Sequence, residues 1–189
     1  MPLQRLSALA VLLGSMIFLI AAFSPISRVY GIPGAPNRLD LITRSPRAWV
    51  VSQVLFGLGA LVTALGVALA AVSSKGRPLA TPFSVAAGLL LIGAVTWSCY
   101  VYLRARDPQA FVESALPGWP FVVYTLLTMA AFLLIGFFLL QTGFPAWAAW
   151  SLIGGSLLFF ILYVIFKDMP PFVHYVLGLI LGVVLLRAG

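Results

Sequence analysis

The sequence predicts an all-α fold, a polytopic transmembrane bundle of six helices, and three observations carry that expectation. Of the 189 residues, 62% are hydrophobic and only 8% charged, whereas a soluble domain needs about a quarter charged residues to wet its surface. The apolar residues fall into six runs, over about 6–23, 47–72, 82–103, 120–140, 145–166 and 170–187. Each is close to the roughly 20 residues that cross a hydrocarbon core of about 30 Å. Five of the six runs begin beside a proline, which a helix accepts in its first turn because the missing N–H would have no partner there. Together the runs nearly exhaust the chain, so residues 1–189 read as a single integral membrane domain with no room for a soluble catalytic one.

The first run follows a short basic lead, Met1 to Arg5, and reads as a retained helix rather than a signal peptide. Its apolar core is long for a signal, and no Ala-x-Ala site with a soluble mature chain follows it. The second run opens at Ser45-Pro46, the third at Thr81-Pro82, and the sixth at Asp168 ahead of Pro170-Pro171. In each case a side chain suited to capping adjoins proline. Pro120 and Pro145 open the fourth and fifth. Backbone polar groups in lipid must be satisfied within their own segment, which selects helices, and the alternating pattern of a membrane barrel is absent. Ala60, Ala64 and Ala68 form a small-residue stripe, as do Gly178 and Gly182. Such residues let helix backbones approach closely, and packing inside one bundle explains them more simply than a dimer seam.

The charge pattern excludes several functions. The net charge is +7, but the basic residues stand singly or in pairs beside apolar runs, where Lys and Arg anchor helix ends in headgroups. A nucleic-acid partner is not expected. One cysteine, Cys99, and one histidine, His174, exclude an internal disulfide, a Cys-rich metal site and a bis-His haem built by this chain alone, so no metal and no cofactor are expected. Cys99 reads as a small apolar residue inside its span. Hydrolase, nucleotide-binding and zinc-protease motifs are missing. With no carboxylate deep in a span, a proton-driven carrier is disfavoured.

An even number of spans puts both termini on one face, here face A. The long connections 24–47 and 104–120 then share face B with the short one at 167–171. Asp40, Asp107, Glu113, Asp168, His174 and all six tyrosines (Tyr30, Tyr100, Tyr102, Tyr124, Tyr163 and Tyr175) fall toward face B. Six groups from five helices, Gln53, Tyr100, Tyr124, Tyr163, His174 and Tyr175, lie roughly 5–10 Å inside that boundary at 1.5 Å per residue. They are the candidate ligand-binding residues of a polar-aromatic cavity opening to face B, with Arg104 and Asp168 at its rim. An interfacial tyrosine belt is the competing reading. It explains less well why the tyrosines are one-sided and why Gln53 and His174 lie inside spans. On the cavity reading, Tyr→Phe changes at 100 or 124 weaken ligand binding. A neutral, hydrogen-bonded His174 suits its place near a helix N-terminus. Asp168 reads as a cap, with Lys167 a headgroup anchor.

The long loop concentrates Arg28, Arg38, Arg44 and Arg47 around the single acid Asp40. With Arg104 they are candidates for contact with an anionic headgroup, and ordinary interface anchoring is the alternative. Residues 37–49 are expected to form a short helix along the membrane surface, broken by Pro46.

Gly143-Phe144-Pro145-Ala146-Trp147-Ala148-Ala149-Trp150 reads Gly-x-Pro-x-Trp-x-x-Trp, and Pro170-Pro171-Phe172-Val173-His174-Tyr175 opens a run ending Leu185-Leu186-Arg187. These motifs resemble the C-terminal third of certain uncharacterised bacterial multi-pass membrane proteins. The resemblance covers about 45 residues of interfacial anchors and helix starts; it implies a bacterial inner-membrane source and carries over no activity.

The function expected from these features is binding or transport of a small apolar or amphipathic molecule, such as a lipid, by a protein that is not an enzyme. Two alternatives stand beside it. One is an accessory subunit of a larger membrane complex, with partner membrane subunits or a second copy as neighbours. The other is an intramembrane lipid-acting enzyme using His174 as acid or base. Face B carries seven basic residues (Arg28, Arg38, Arg44, Arg47, Arg104, Arg106 and Lys167) against four on face A (Arg5, Lys75, Arg77 and Arg187). That count favours face B in the cytoplasm. Face A is purely basic, however, and face B holds every acid, so cytoplasmic termini are the working expectation.

Overall fold

The structure, a computed structural model, describes residues 3–76, 78, 80–166 and 172–187. Lys167, Asp168, Pro170 and Pro171 lie outside the described residues, as does Arg77, so the expected cap and anchor at the sixth run do too. The described chain is helical without a strand. Its elements are α1 (Leu3–Ala22), a 3-10 helix (Pro25–Tyr30), α2 (Ala35–Arg44), α3 (Pro46–Ser73), α4 (Ala80–Arg106), α5 (Pro108–Val112), α6 (Trp119–Leu139), α7 (Ala146–Phe166) and α8 (Phe172–Arg187).

Five helices, α1, α3, α4, α6 and α7, are long and apolar enough to cross a membrane. The sixth run appears as α8, apolar but 16 residues long, about 24 Å at 1.5 Å per residue. Leu13, Ile20, Val54, Ile92, Leu158 and Ile165 are all exposed on these helices. An apolar surface distributed over every long helix is one that lipid, not water, covers.

Proline placement follows the sequence closely. Pro46 and Pro120 stand in the first two positions of α3 and α6, Pro82 lies in the first turn of α4, and Pro145 immediately precedes α7. Side-chain capping does not follow it. Ser45 occupies the N-cap of α3 without a side-chain cap bond, and Thr81 lies inside α4, which begins at Ala80. The realised cap is at Asp107, whose carboxylate accepts from the Ala110 N–H at 2.9 Å and starts α5. Proline alone is a sufficient start signal here because φ is preset and no N–H needs a partner.

The five long apolar helices and the shorter α8 pack in a ring. α1 contacts α3, α3 contacts α4, α4 contacts α6, α6 contacts α7, α7 contacts α8, and α8 returns to α1. Chain neighbours alternate in direction: the end of α1 meets the start of α8 through Phe23 and Phe172, and the end of α7 meets the start of α6 through Tyr163 and Phe121. The start of α1 and the end of α8 therefore share the end opposite the longer connections.

The α1–α3 seam is set by glycine. A Cβ on Gly59 would lie 2.7 Å from the Phe18 N, and one on Gly66 would lie 2.6 Å from the Val11 N. Gly14 faces the Thr63 backbone from the other side. Backbones this close admit no side chain between them, the packing that small residues permit in lipid. Gly178 and Gly182 seat Ser15 and Leu12 of α1, so that step serves contact within one chain. The expected alanine stripe is partly inward, with Ala60 and Ala64 buried and Ala68 half-buried.

α3 and α4, of 28 and 27 residues, extend about 40 Å and overshoot a hydrocarbon core of about 30 Å. The overshoot sits at the end where the 3-10 helix, α2 and α5 pack on one another and on α3 and α4. These pieces form a folded cap with its own apolar cluster, Ile26, Val29, Ile42, Trp49 and Val112. The expected surface helix over 37–49 is realised as α2, Ala35–Arg44, with Pro46 opening α3.

Candidate functional site

The centre of the ring is aromatic and closed. Phe18 stacks on Tyr175 at 3.6 Å between ring centroids, Tyr175 hydrogen-bonds Tyr124 through the two hydroxyls, and Tyr124 stacks on Trp97 at 4.7 Å. Phe56 completes the loop, 6.2 Å from Trp97 and 4.8 Å from Phe18. Ring pairs of this kind add stability beyond the area they bury. Below the loop a void of about 10 Å³ lies among Thr63, Tyr124, Thr128, Phe132 and Tyr175, about the room one water needs.

Above the loop, between it and the cap, lies a cavity of about 330 Å³, within the range of small-molecule sites. Phe56 and Trp97 form its floor; Tyr100, Arg104 and Phe121 come from the walls of α4 and α6; Tyr30, Arg38 and Phe111 come from the cap. Ser114, Leu116 and Gly118 complete it. Ser114 and Gly118 are exposed, so the cavity opens through the segment between α5 and α6.

Arg104 dominates the electrostatics. It is only 4% exposed, and five rings surround its guanidinium: Phe111 at 4.5 Å, Tyr30 at 4.8 Å, Tyr100 and Trp49 at 5.6 Å, and Trp97 at 5.7 Å. Nη2 donates to the Tyr30 hydroxyl, and the indole Nε1 of Trp49 donates to the Arg104 carbonyl at 3.1 Å, locking the last turn of α4. Nε of Arg104 and Nε1 of Trp97 are buried donors without a protein acceptor. The nearby acids are engaged elsewhere. Asp40 pairs with Arg44 at 2.8 Å, Asp107 caps α5, and Glu113 accepts from Gln109 at 3.0 Å.

Ser114 has φ +57°, the only positive φ of a non-glycine residue among those described. It terminates α5 in a Schellman geometry, in which Ser114 N donates to Phe111 O and Ala115 N to Ala110 O. Glycine usually occupies that position because a Cβ is strained there.

Of the sequence-derived candidates, the cavity brings together Tyr100, Arg38 and Arg104. Gln53 is buried beside them and reaches the Tyr30 hydroxyl at 3.4 Å. Tyr124 and Tyr175 belong to the packed ring beneath, and Tyr163 sits 6.0 Å from Phe121. His174 is fully buried between Phe132 and Phe159, a separate place on α8. Arg28, Arg44 and Arg47 are exposed on the cap. Arg104, expected at a rim, is enclosed.

Sequence reasoning did not single out Tyr30, Phe56, Trp97, Phe111, Ser114 or Phe121. Trp97, Tyr100 and Arg104 stand at i, i+3 and i+7 on one helix face, a signal that was legible. Phe111 and Ser114 carried none, because the turn that delivers them is set by tertiary contact.

No known family model matches the chain, and no curated protein or solved structure is similar to it.

Proposed function

We propose that this is a six-span membrane protein that binds a small amphipathic molecule in the cavity between the bundle and its cap. The observation that carries the reading is an open cavity of about 330 Å³ whose lining is mostly rings, with Arg38, Arg104 and Ser114 among them. A few placed polar groups in an apolar enclosure are what orients a small ligand. The closed aromatic floor supports binding over a through-passage. Brominated amphiphiles provide the test, because bromine quenches indole and Trp97 lies in the floor. Saturable quenching by a 9,10-dibromostearoyl ligand is expected, lost in Trp97→Phe. Gly118→Phe is expected to abolish it as well while leaving the melting temperature in place, since Gly118 lines the mouth and a Cβ there meets nothing within 4 Å. Absence of any saturable phase in the native protein refutes the reading.

In the same reading α8 is the sixth span, both termini lie in the cytoplasm of a bacterial cell, and the cap faces outward. Engagement of the cap arginines supports this orientation: Arg104 is buried, Arg44 is paired, and Arg38 Nε donates to the Ile32 carbonyl at 2.7 Å. Single cysteines at Arg5, Arg187 and Arg47 in a Cys99→Ser background test it. A membrane-impermeant maleimide applied to whole cells should label only the one at position 47.

A further inference from the structure

We infer that the ligand of this cavity carries an oxyanion head of the phosphate type, held between Arg104 and Arg38, with its apolar part against the rings. The inference rests on the pocket reading above and adds the charge class of the occupant.

The argument starts from an uncompensated buried cation. Removing a guanidinium from water is costly unless it is paired and hydrogen-bonded, and each carboxylate among the described residues is committed to another partner. The five rings offset part of that cost through cation–π contact. They do not satisfy the Nε donor, which is buried without an acceptor. Trp97 Nε1 is a second such donor in the same wall. Both residues line the cavity while these two atoms are themselves covered by protein; a buried guanidinium there with no counter-ion calls for an acceptor-rich ligand.

A second cation lines the same cavity. Arg38 is tethered through Nε to the Ile32 carbonyl at 2.7 Å, which fixes its stem. No acid lines the cavity to balance the two. Planar guanidinium forks match the oxygens of phosphate and carboxylate, and two of them suit a dianionic phosphomonoester better than a carboxylate. The rings do not make a cage for a ligand cation, because Arg104 already fills it. Phe56, Phe121 and Leu116 leave apolar wall for the first carbons of a chain.

The test compares three dibromostearoyl ligands of one chain length, a lysophosphatidate, the free fatty acid and a monoacylglycerol, with inorganic phosphate as competitor, on the full chain in nanodiscs. The lysophosphatidate should bind about tenfold or more tighter than the monoacylglycerol, with the fatty acid between them, as expected for a desolvated charge pair. Arg38→Gln and Arg104→Gln should each remove most of that preference. If Arg104→Gln does not fold, Arg38→Gln on the cap carries the comparison. Competition by millimolar inorganic phosphate would support the anion site and identify free phosphate as sufficient, whereas its absence would support it with a lipid-borne head. Equal affinity for the three amphiphiles, or an undiminished preference in folded Arg38→Gln, overturns the inference and leaves the pocket standing. If none of the three binds saturably, the pocket reading itself falls.

Discussion

Arg104 and Ser114 both depart from what packing alone would select, and both face the cavity. A leucine at position 104 would suit an apolar wall, and a glycine at 114 would suit φ +57°. Relieving that backbone strain should make Ser114→Gly more stable by about 1 kcal/mol, read as a higher midpoint of thermal unfolding in detergent. If the hydroxyl serves the ligand, the same variant binds the amphiphile more weakly, and opposed changes in stability and affinity are the signature to look for. Tyr124 behaves differently. Its hydroxyl is tied to Tyr175 in the packed layer below, so Tyr124→Phe should cost about 1 kcal/mol of stability and leave affinity unchanged. Tyr100→Ala, which removes a wall of the cavity, should lower affinity several-fold by the same quenching assay.

Among the elements, the α1–α3 pair depends most on single atoms. Gly14, Gly59 and Gly66 face backbone of the opposite helix, so an added methyl has no flexible neighbour to displace. Gly59→Ala or Gly66→Ala should destabilise by about 1–3 kcal/mol, the usual cost of overpacking. Gly88→Ala and Gly154→Ala, where a Cβ meets nothing within 4 Å, should leave the unfolding midpoint within error. The contrast separates a packing role from a general effect of glycine on helix propensity. The cap is the other sensitive element. Because Ile42, Val29 and Trp49 are buried in it, amide exchange over 25–30 and 35–44 should be slow, as in a folded unit rather than a long flexible connection.

At the scale of the whole molecule, ring closure determines what the polar residues can do. α8 packs on both α1 and α7, and that closure places Tyr175 against Phe18 and Tyr124, sealing the middle of the bundle. A sizeable space is left at one end, where α3 and α4 outrun the others and the 3-10 helix, α2 and α5 roof them over. On the proposed reading, a ligand would sit at the level of the headgroups, where an arginine can be brought in and an acyl chain can remain in apolar surroundings.

The amino-acid order alone determined the membrane-helical class, the approximate limits of the apolar runs, the proline-marked starts and the gathering of tyrosines toward one face. Each of these is a local property: lipid as solvent demands internally satisfied backbone and apolar side chains within each segment, and a window of about 20 residues is enough to read it. Only the tertiary structure decided which of those polar groups share a space. Tyr30 and Arg104 meet across 74 positions, and Trp49 joins them across 55. Such meetings follow from the order of helices around the ring and the fold of the cap, which hydropathy does not encode because every outward face of a membrane helix is equally greasy.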